Sequence, residues 1–395
     1  MGFNFSAAAA KARPSSVREM QKYNLNVNLI SFGGGMPAPE LFPVDEINQI
    51  SSKVLKEKGK VALQYSTTEG YDPLRQWIAG RMQEYTEKEY GLDHILVVQG
   101  SQQAIDLAAR TFVNEGDVVL CEQPTYLAAI NVFKSCKADV RSVPTDDCGI
   151  IMESLEKTLK ETANVKLIYV ITDYQNPTGV SWSRERREQL AEMAAKFNVV
   201  VLEDDPYIEL RYEGEFIPPV KAFDKTGHVI FAGSFSKMLS PGIRMGWVTG
   251  DSEIIAKMIL AKQAADLQCN TFMQMVVSEY LSIFNIDKHI TEIKKLYKRR
   301  RDVMLATMDE VFPKNITYTR PNGGMFLWVT LPENMFAAKL LEKAIESNVA
   351  FVCGTDFYPD GSGNNKIRLS FSNMTEEKIV EGIKRMAKAI ELYED

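Results

Sequence analysis

The sequence predicts an α/β protein: a large, doubly wound, mostly parallel sheet, followed by a smaller α+β unit. Two observations carry this. From about Asp93 to Gly250, short apolar runs alternate with stretches whose apolar residues recur at helical spacing, the rhythm of strand and crossover helix. After Asp251 the alternation gives way to long helices with few strand-like runs. The strands are expected at His94–Val98, Val118–Glu122, Val140–Val143, Leu167–Thr172, Val199–Glu203, Val229–Ala232 and Met245–Thr249, apolar as strands covered on both faces must be. Gln102–Val113, Tyr126–Lys134 and Arg184–Phe197 serve as crossover helices. Further on come a charged helix near Lys288–Glu310 and strands at Met325–Thr330 and Lys366–Ser372. The first forty or so residues read as an arm, with a short helix near Ser15–Lys22. The stretch Ile30-Ser-Phe-Gly-Gly-Gly-Met-Pro-Ala-Pro39 then looks too rich in glycine and proline for regular structure. Such an arm is free to close over a site or a partner subunit. The expected division is 1–45 as an arm and part of the small domain, 46–285 as the large domain and 286–395 as the small α+β domain.

Composition narrows the function. A chain of 395 residues, 45% hydrophobic, can bury a large core. Its 46 Lys and Arg against 52 Asp and Glu leave a net charge of -6 without a basic block, which argues against nucleic acid as partner. No apolar run is long enough to span a membrane, and Met1–Ser16 lacks the apolar stretch of a signal peptide, so a cytoplasmic location is expected. Cys121, Cys136, Cys148, Cys269 and Cys353 are scattered, and His94, His228 and His289 lie far apart; they read as packing residues, with no metal site.

The chemistry concentrates in loops at the ends of these strands, where open α/β sheets bind ligands. Gly233-Ser-Phe-Ser-Lys-Met-Leu-Ser-Pro-Gly-Ile-Arg-Met-Gly-Trp247 frames one lysine, Lys237, with Ser234, Ser236 and Arg244. A lysine amine attacks an aldehyde, while hydroxyls and a guanidinium hold a phosphate dianion; pyridoxal 5'-phosphate carries both groups. Gly100-Ser-Gln-Gln103 opens a helix whose amides and dipole suit a phosphate, although Ser101 alone would be an ordinary N-cap. Tyr126, in Pro124-Thr-Tyr126, could stack on a pyridine ring or simply pack. Asn176, in Asp173-Tyr-Gln-Asn-Pro-Thr-Gly179, could donate to a phenolate oxygen. Glu203-Asp-Asp-Pro-Tyr207 ends an apolar strand, so at least one of its carboxylates is buried and needs a positive partner such as a protonated pyridine nitrogen.

With these motifs in order, the chain resembles the class I/II aminotransferases of pyridoxal phosphate fold type I, in particular the 2-aminoadipate and kynurenine aminotransferase-like subgroup, over essentially its whole length. The resemblance implies that Lys237 bonds covalently to pyridoxal 5'-phosphate. It places Asp204 on the pyridine nitrogen, Asn176 and Tyr207 on the ring oxygen, Tyr126 against the ring, and Ser101, Gln102, Ser234, Ser236 and Arg244 on the phosphate. Tyr65, in Gln64-Tyr-Ser-Thr-Thr-Glu-Gly70, would reach in from the other subunit, which implies a homodimer. Arg368, in Lys366-Ile-Arg-Leu-Ser-Phe371, matches the arginine that grips the substrate α-carboxylate, and Gly34 and Gly35 match the substrate-side loop. Arg18 matches an arginine that meets the far carboxylate of acidic substrates; on its residues alone it is equally a solvated arginine.

The implied reaction moves the amino group of an L-amino acid (2-aminoadipate, aromatic or branched-chain type, or glutamate) to a 2-oxo acid such as 2-oxoglutarate. The same fold and lysine also serve lyases and decarboxylases, distinguished by whether turnover needs a 2-oxo acid. A related group of regulators carries a DNA-binding winged helix before the same unit; only about thirty residues precede the glycine loop here, without a basic helix-turn-helix pattern. The preferred amino donor is not encoded in motif spacing.

Overall fold

The computed structural model describes residues 3–5 and 28–393. At its centre is an eight-stranded sheet in the order Ile95–Val98, Gly246–Thr249, Val229–Ser234, Val200–Asp204, Val165–Val170, Val118–Gln123, Asp139–Asp146 and Gly149–Ile150. The five strands from Val229–Ser234 to Asp139–Asp146 are mutually parallel. Gly246–Thr249 is antiparallel to both neighbours, which leaves Ile95–Val98 pointing the same way as the parallel set. Ile95–Val98 and Val229–Ser234 are buried at every position, as helices on both faces require.

All seven expected strands of this sheet form, as do the three named crossover helices, at Ser101–Phe112, Leu127–Ser135 and Arg184–Phe197. The last shows why its ends fall where they do. Ser183 accepts a hydrogen bond from the Arg186 amide at the start, and Asn198 takes a left-handed conformation (φ 53°) at the end.

A second sheet, all antiparallel, runs Thr317–Tyr318, Phe326–Thr330, Lys366–Ser370, Val352–Cys353. Lys366–Ser370 is therefore internal rather than an edge. The long helix Ile286–Val311 packs against Glu376–Glu391 beside this sheet, and Val44–Ala62 packs against Thr271–Ile283.

The segment expected to be irregular is partly regular. Ile30–Ser31 forms a short strand parallel to Val349–Ala350, and Phe32 N donates to Ala350 O at 2.8 Å. The glycines begin only at Gly33, and the apolar Ile30 and Phe32 before them are buried, which supplies the burial that a strand needs. The arm is thus tied down from residue 28 onward, where Arg385 donates to the Asn28 carbonyl. The helix expected at Ser15–Lys22, and Arg18 with it, lies outside the described residues. Cys121 and Cys269 are buried, but Cys148 is exposed, so packing does not account for it. No helix among the described residues is long and apolar enough to cross a membrane.

Candidate active site

The carboxyl ends of the parallel strands and of Ile95–Val98 meet the second sheet at a cavity of about 640 Å³. Its walls bring together residues up to more than 300 positions apart, each placed by the end of one element.

After Ile95–Val98 the chain turns at Gly100 (φ +77°) into the helix Ser101–Phe112, whose first residues Ser101 and Gln102 line the cavity. Only glycine suits this turn, because φ +77° with ψ 168° is a backbone region closed to residues that carry a Cβ. Gly100 is the N-cap, so Ser101 is the first helical residue and not the cap. The unpaired amides of a helix start and its dipole then point toward anions.

Arg244 precedes the antiparallel strand Gly246–Thr249, and so arrives on the same side as the other strand ends. Its Nη2 donates to Gln99 O at 2.9 Å, and its Nη1 lies 3.5 Å from Ser236 Oγ. Ser234 and Ser236 are buried at the end of Val229–Ser234, where Ser236 N donates to Ser234 Oγ. Helix amides, two hydroxyls and a guanidinium thus line one end of the cavity.

Lys237 follows, its Nζ donating to Gly35 O at 2.7 Å. Burial, and then the charges of Arg368 and Arg244, lower its pKa to about 8, so roughly a fifth of the amine is neutral near pH 7.4, against about a thousandth for an ordinary lysine.

Strand Val200–Asp204 delivers three consecutive acids, Glu203, Asp204 and Asp205, all at 2% exposure or less. Alternation sends them to different faces. Glu203 accepts from Thr172 and from the amides of Val220 and Lys221. Asp204 lines the cavity: Oδ2 accepts from the Tyr169 hydroxyl at 2.8 Å, and Oδ1 has no hydrogen-bond partner. Burial lifts its pKa to about 6, against the pull of Tyr169 and of the nearby Ser101 hydroxyl. Tyr207, buried against the edge of Phe326, and half-buried Tyr126, at the cap of Leu127–Ser135, complete this wall.

Asn176, after Val165–Val170, accepts at Oδ1 from Arg368 Nη1 (2.8 Å), which leaves its amide NH2 as a donor. Arg368 comes from the middle of Lys366–Ser370. Its Nη2 donates to Gly33 O (2.6 Å), its guanidinium lies over Phe326 and Phe357, and it is 2% exposed. No carboxylate stands within ion-pair distance among the described residues, and Nε has no partner. Burial accordingly pushes its pKa down to about 10. Gly34 and Gly35 form the rim, and a Cβ on Gly35 would meet Phe326 at 3.0 Å.

Behind the wall a fully buried ion pair, Arg187 with Asp173 (2.9 Å), joined by Arg211 (2.8 Å), ties the start of the Asn176 loop to the segment that follows Tyr207. Of the residues expected at the site, Tyr65 does not line the cavity; its side chain is 80% exposed. Tyr169, Phe326 and the Gly33 carbonyl were not foreseen. Tyr169 carries the one polar tip among the four buried positions Leu167–Val170, a signal that could have been read; the stacking of Phe326 on Arg368 depends on tertiary contact and left none.

The asymmetry of the cavity is informative. A primary amine of lowered pKa stands between an anion-seeking end, a buried carboxylate with a free oxygen and a buried guanidinium with no counter-charge. That set defines an enzyme working through a phosphate-bearing carbonyl cofactor on a carboxylate-bearing substrate. The chain belongs to the class I and II aminotransferases: the model of that family matches residues 21–386. It is 43% identical to an aromatic-amino-acid aminotransferase of Thermococcus litoralis, over 98% of this chain and 94% of that one. It is 38% identical to a 2-aminoadipate transaminase of Thermus thermophilus, over 98% and 96%. Among solved structures, a kynurenine aminotransferase of Pyrococcus horikoshii, in complex with PMP, KYN as substrates and KYA as products, superposes with a TM-score of 0.94 at 43% identity, covering 99% of this chain and 98% of that one. The protein is a fold type I aminotransferase with pyridoxal 5'-phosphate as its cofactor, and the residues lining the cavity suit that group: Asp204 Oδ1 lacks the donor that a protonated ring nitrogen provides.

Proposed function

We propose that the enzyme transfers amino groups from 2-aminoadipate, aromatic or branched-chain L-amino acids, or glutamate, to a 2-oxo acid such as 2-oxoglutarate, with the residue roles expected from the sequence. One observation carries the assignment: Lys237 lies in a cavity with two buried ionisable groups, Asp204 and Arg368, that the described residues leave without a counter-charge and each with one polar atom unpartnered. Such groups are costly to keep without a ligand.

Bound pyridoxal phosphate supplies the aldehyde that exchanges with the amino group and a ring that takes up the electron pair left by the α-proton. Asp204 keeps the ring nitrogen protonated by favouring its charged form. The NH2 of Asn176 and the hydroxyl of Tyr207 donate to the ring oxygen, and Tyr126 offers a stacking face. Ser101, Gln102, Ser234, Ser236 and Arg244 hold the phosphate. Arg368 grips the α-carboxylate in a planar fork and so orients the α-proton. Lys237 carries that proton to and from the α-carbon, a role suited to an amine titrating near neutrality. Gly34 and Gly35 leave the substrate side open.

Tyr65 fits a role at the site of a second copy in a homodimer. It stands with exposed Leu63 just beyond the helix Val44–Ala62, whose Val61 is exposed as well, apolar side chains of the kind that subunits cover. The division at 45/46 and 285/286 and a cytoplasmic location belong to the same reading.

A panel of amino donors assayed with and without 2-oxoglutarate tests the reaction. Turnover should require the 2-oxo acid; release of ammonia or carbon dioxide without it would indicate a lyase or decarboxylase. In the same panel Arg18→Ala should weaken glutamate and 2-aminoadipate by about tenfold, the value of one charge-assisted hydrogen bond, and leave leucine nearly unchanged in its own half-reaction. Equal losses for both donor types would mean that Arg18 reads no side chain.

A further inference from the structure

We infer that Tyr169 is a positioning residue of the reaction: its hydroxyl holds one oxygen of Asp204 so that the other is kept for the cofactor's ring nitrogen. The inference rests on the reading of Asp204 given above.

Tyr169 lies inside the strand Val165–Val170, opposite Leu202 on one neighbouring strand and Cys121 on the other, with no solvent exposure. A phenylalanine would fill an apolar strand interior as well, and the extra hydroxyl of a buried tyrosine must find a partner or destabilise the fold. Here that partner is Asp204 Oδ2, at 2.8 Å, two positions beyond Leu202 at the strand end. The ring cannot drift from this contact. Phe133 meets it edge-on, with centroids 5.8 Å apart and planes at 67°. Phe133 belongs to the helix Leu127–Ser135, which starts at Tyr126, so the contact that braces Tyr169 is built on the element that carries the proposed stacking residue.

A carboxylate turns about its last side-chain bond with little preference of its own, because that torsion is broad. Anchoring Oδ2 sets the direction of Oδ1, which no other group satisfies. The hydroxyl also acts on charge. Burial favours the neutral carboxyl, and two hydroxyls work against it, Tyr169 from the adjacent strand and Ser101 from the helix start. The other titratable groups whose charge is felt here are Tyr126 and Tyr207, across the cavity wall, and Glu122, on the strand Val118–Gln123. Burial, and then the charge of Asp204, keep the phenol protonated, so Tyr169 remains a donor.

The test uses four holoenzymes: the parent, Tyr169→Phe, Asp204→Asn and the double variant, loaded with ring-15N-labelled pyridoxal phosphate. The readouts are the 15N shift against pH, the cofactor dissociation constant and kcat/KM. Tyr169→Phe should let the ring nitrogen lose its proton about one pH unit lower and move the acidic limb of kcat/KM up by a similar amount. Cofactor affinity and kcat/KM at neutral pH should each fall about tenfold. In the Asp204→Asn background these effects should vanish. A difluorotyrosine at position 169 keeps the shape, donates more strongly and should move the nitrogen titration the opposite way. An unchanged nitrogen titration in Tyr169→Phe, or an equal loss with and without Asp204, would make Tyr169 a packing residue. If Asp204→Asn itself leaves the nitrogen unaffected, the Asp204 reading fails first, and the inference with it.

Discussion

Replacing Lys237 with alanine should remove amino transfer and the visible absorption of lysine-bound cofactor together. The loss of a positioned acid–base group alone costs about 10²- to 10⁴-fold in rate, and loss of the covalent attachment adds to it. Some cofactor should still be retained non-covalently, because the helix start at Ser101, the serines and Arg244 do not depend on the lysine. Borohydride should fix the cofactor to a single peptide containing Lys237. Lys262 is the informative control: its amine is buried and held by Asp266 and Gln103, away from the cavity. Adduct on Lys262, or on any other residue, would overturn the site. The lowered pKa makes a further point measurable. With cofactor stripped and returned, the rate of covalent attachment should rise with pH to a plateau with its midpoint near 8, where half the amine is neutral; an ordinary lysine would have its midpoint at about 10.4.

The sequence made the parallel sheet legible because strands buried on both faces leave uninterrupted apolar runs such as Val229–Ala232, and the loops that follow them carry the chemistry. The structure gathers residues of those loops at one cavity, lined by Ser101, Tyr126, Asn176, Asp204, Lys237 and Arg244. Less legible were features set by long-range contact. The strand Ile30–Ser31 exists through pairing with Val349–Ala350, more than 300 residues away, and local glycine and proline content argued against it. The internal position of Arg368 depends on strands arriving on both sides of Lys366–Ser370. Within Glu203-Asp-Asp205 the sequence required at least one buried carboxylate, while the fold buries all three, each with different surroundings. Glu203 is satisfied by amides and Thr172, Asp205 lies beside the Asp173 pair, and Asp204 alone among them lines the cavity.

Arg368→Lys should lower kcat/KM for amino donors, and equally for 2-oxo acids, by about a hundredfold, since both bring a carboxylate to the same fork and a misplacement of about 1 Å costs that much. The guanidinium is fixed at two points, Asn176 Oδ1 and Gly33 O, and lies over two aromatic rings. A lysine can reach one of those acceptors, and its single ammonium cannot present two parallel N–H bonds to a carboxylate. Its charge is also less secure. Burial without a carboxylate partner pulls even the arginine down to about 10, and the same burial acts on a group that starts near 10.4. The deficit should therefore widen as pH rises and the ammonium loses its proton, whereas the parent keeps its charge through neutrality. The cofactor absorption should change little, because none of the phosphate-end residues or Asp204 touches Arg368 directly. Asn176 does, so a modest shift in the band is the most that this variant should show. An unaltered kcat/KM for amino donors and 2-oxo acids would mean that the carboxylate binds elsewhere in the cavity, and that the buried charge of Arg368 serves only to join Asn176 to the Gly33 loop.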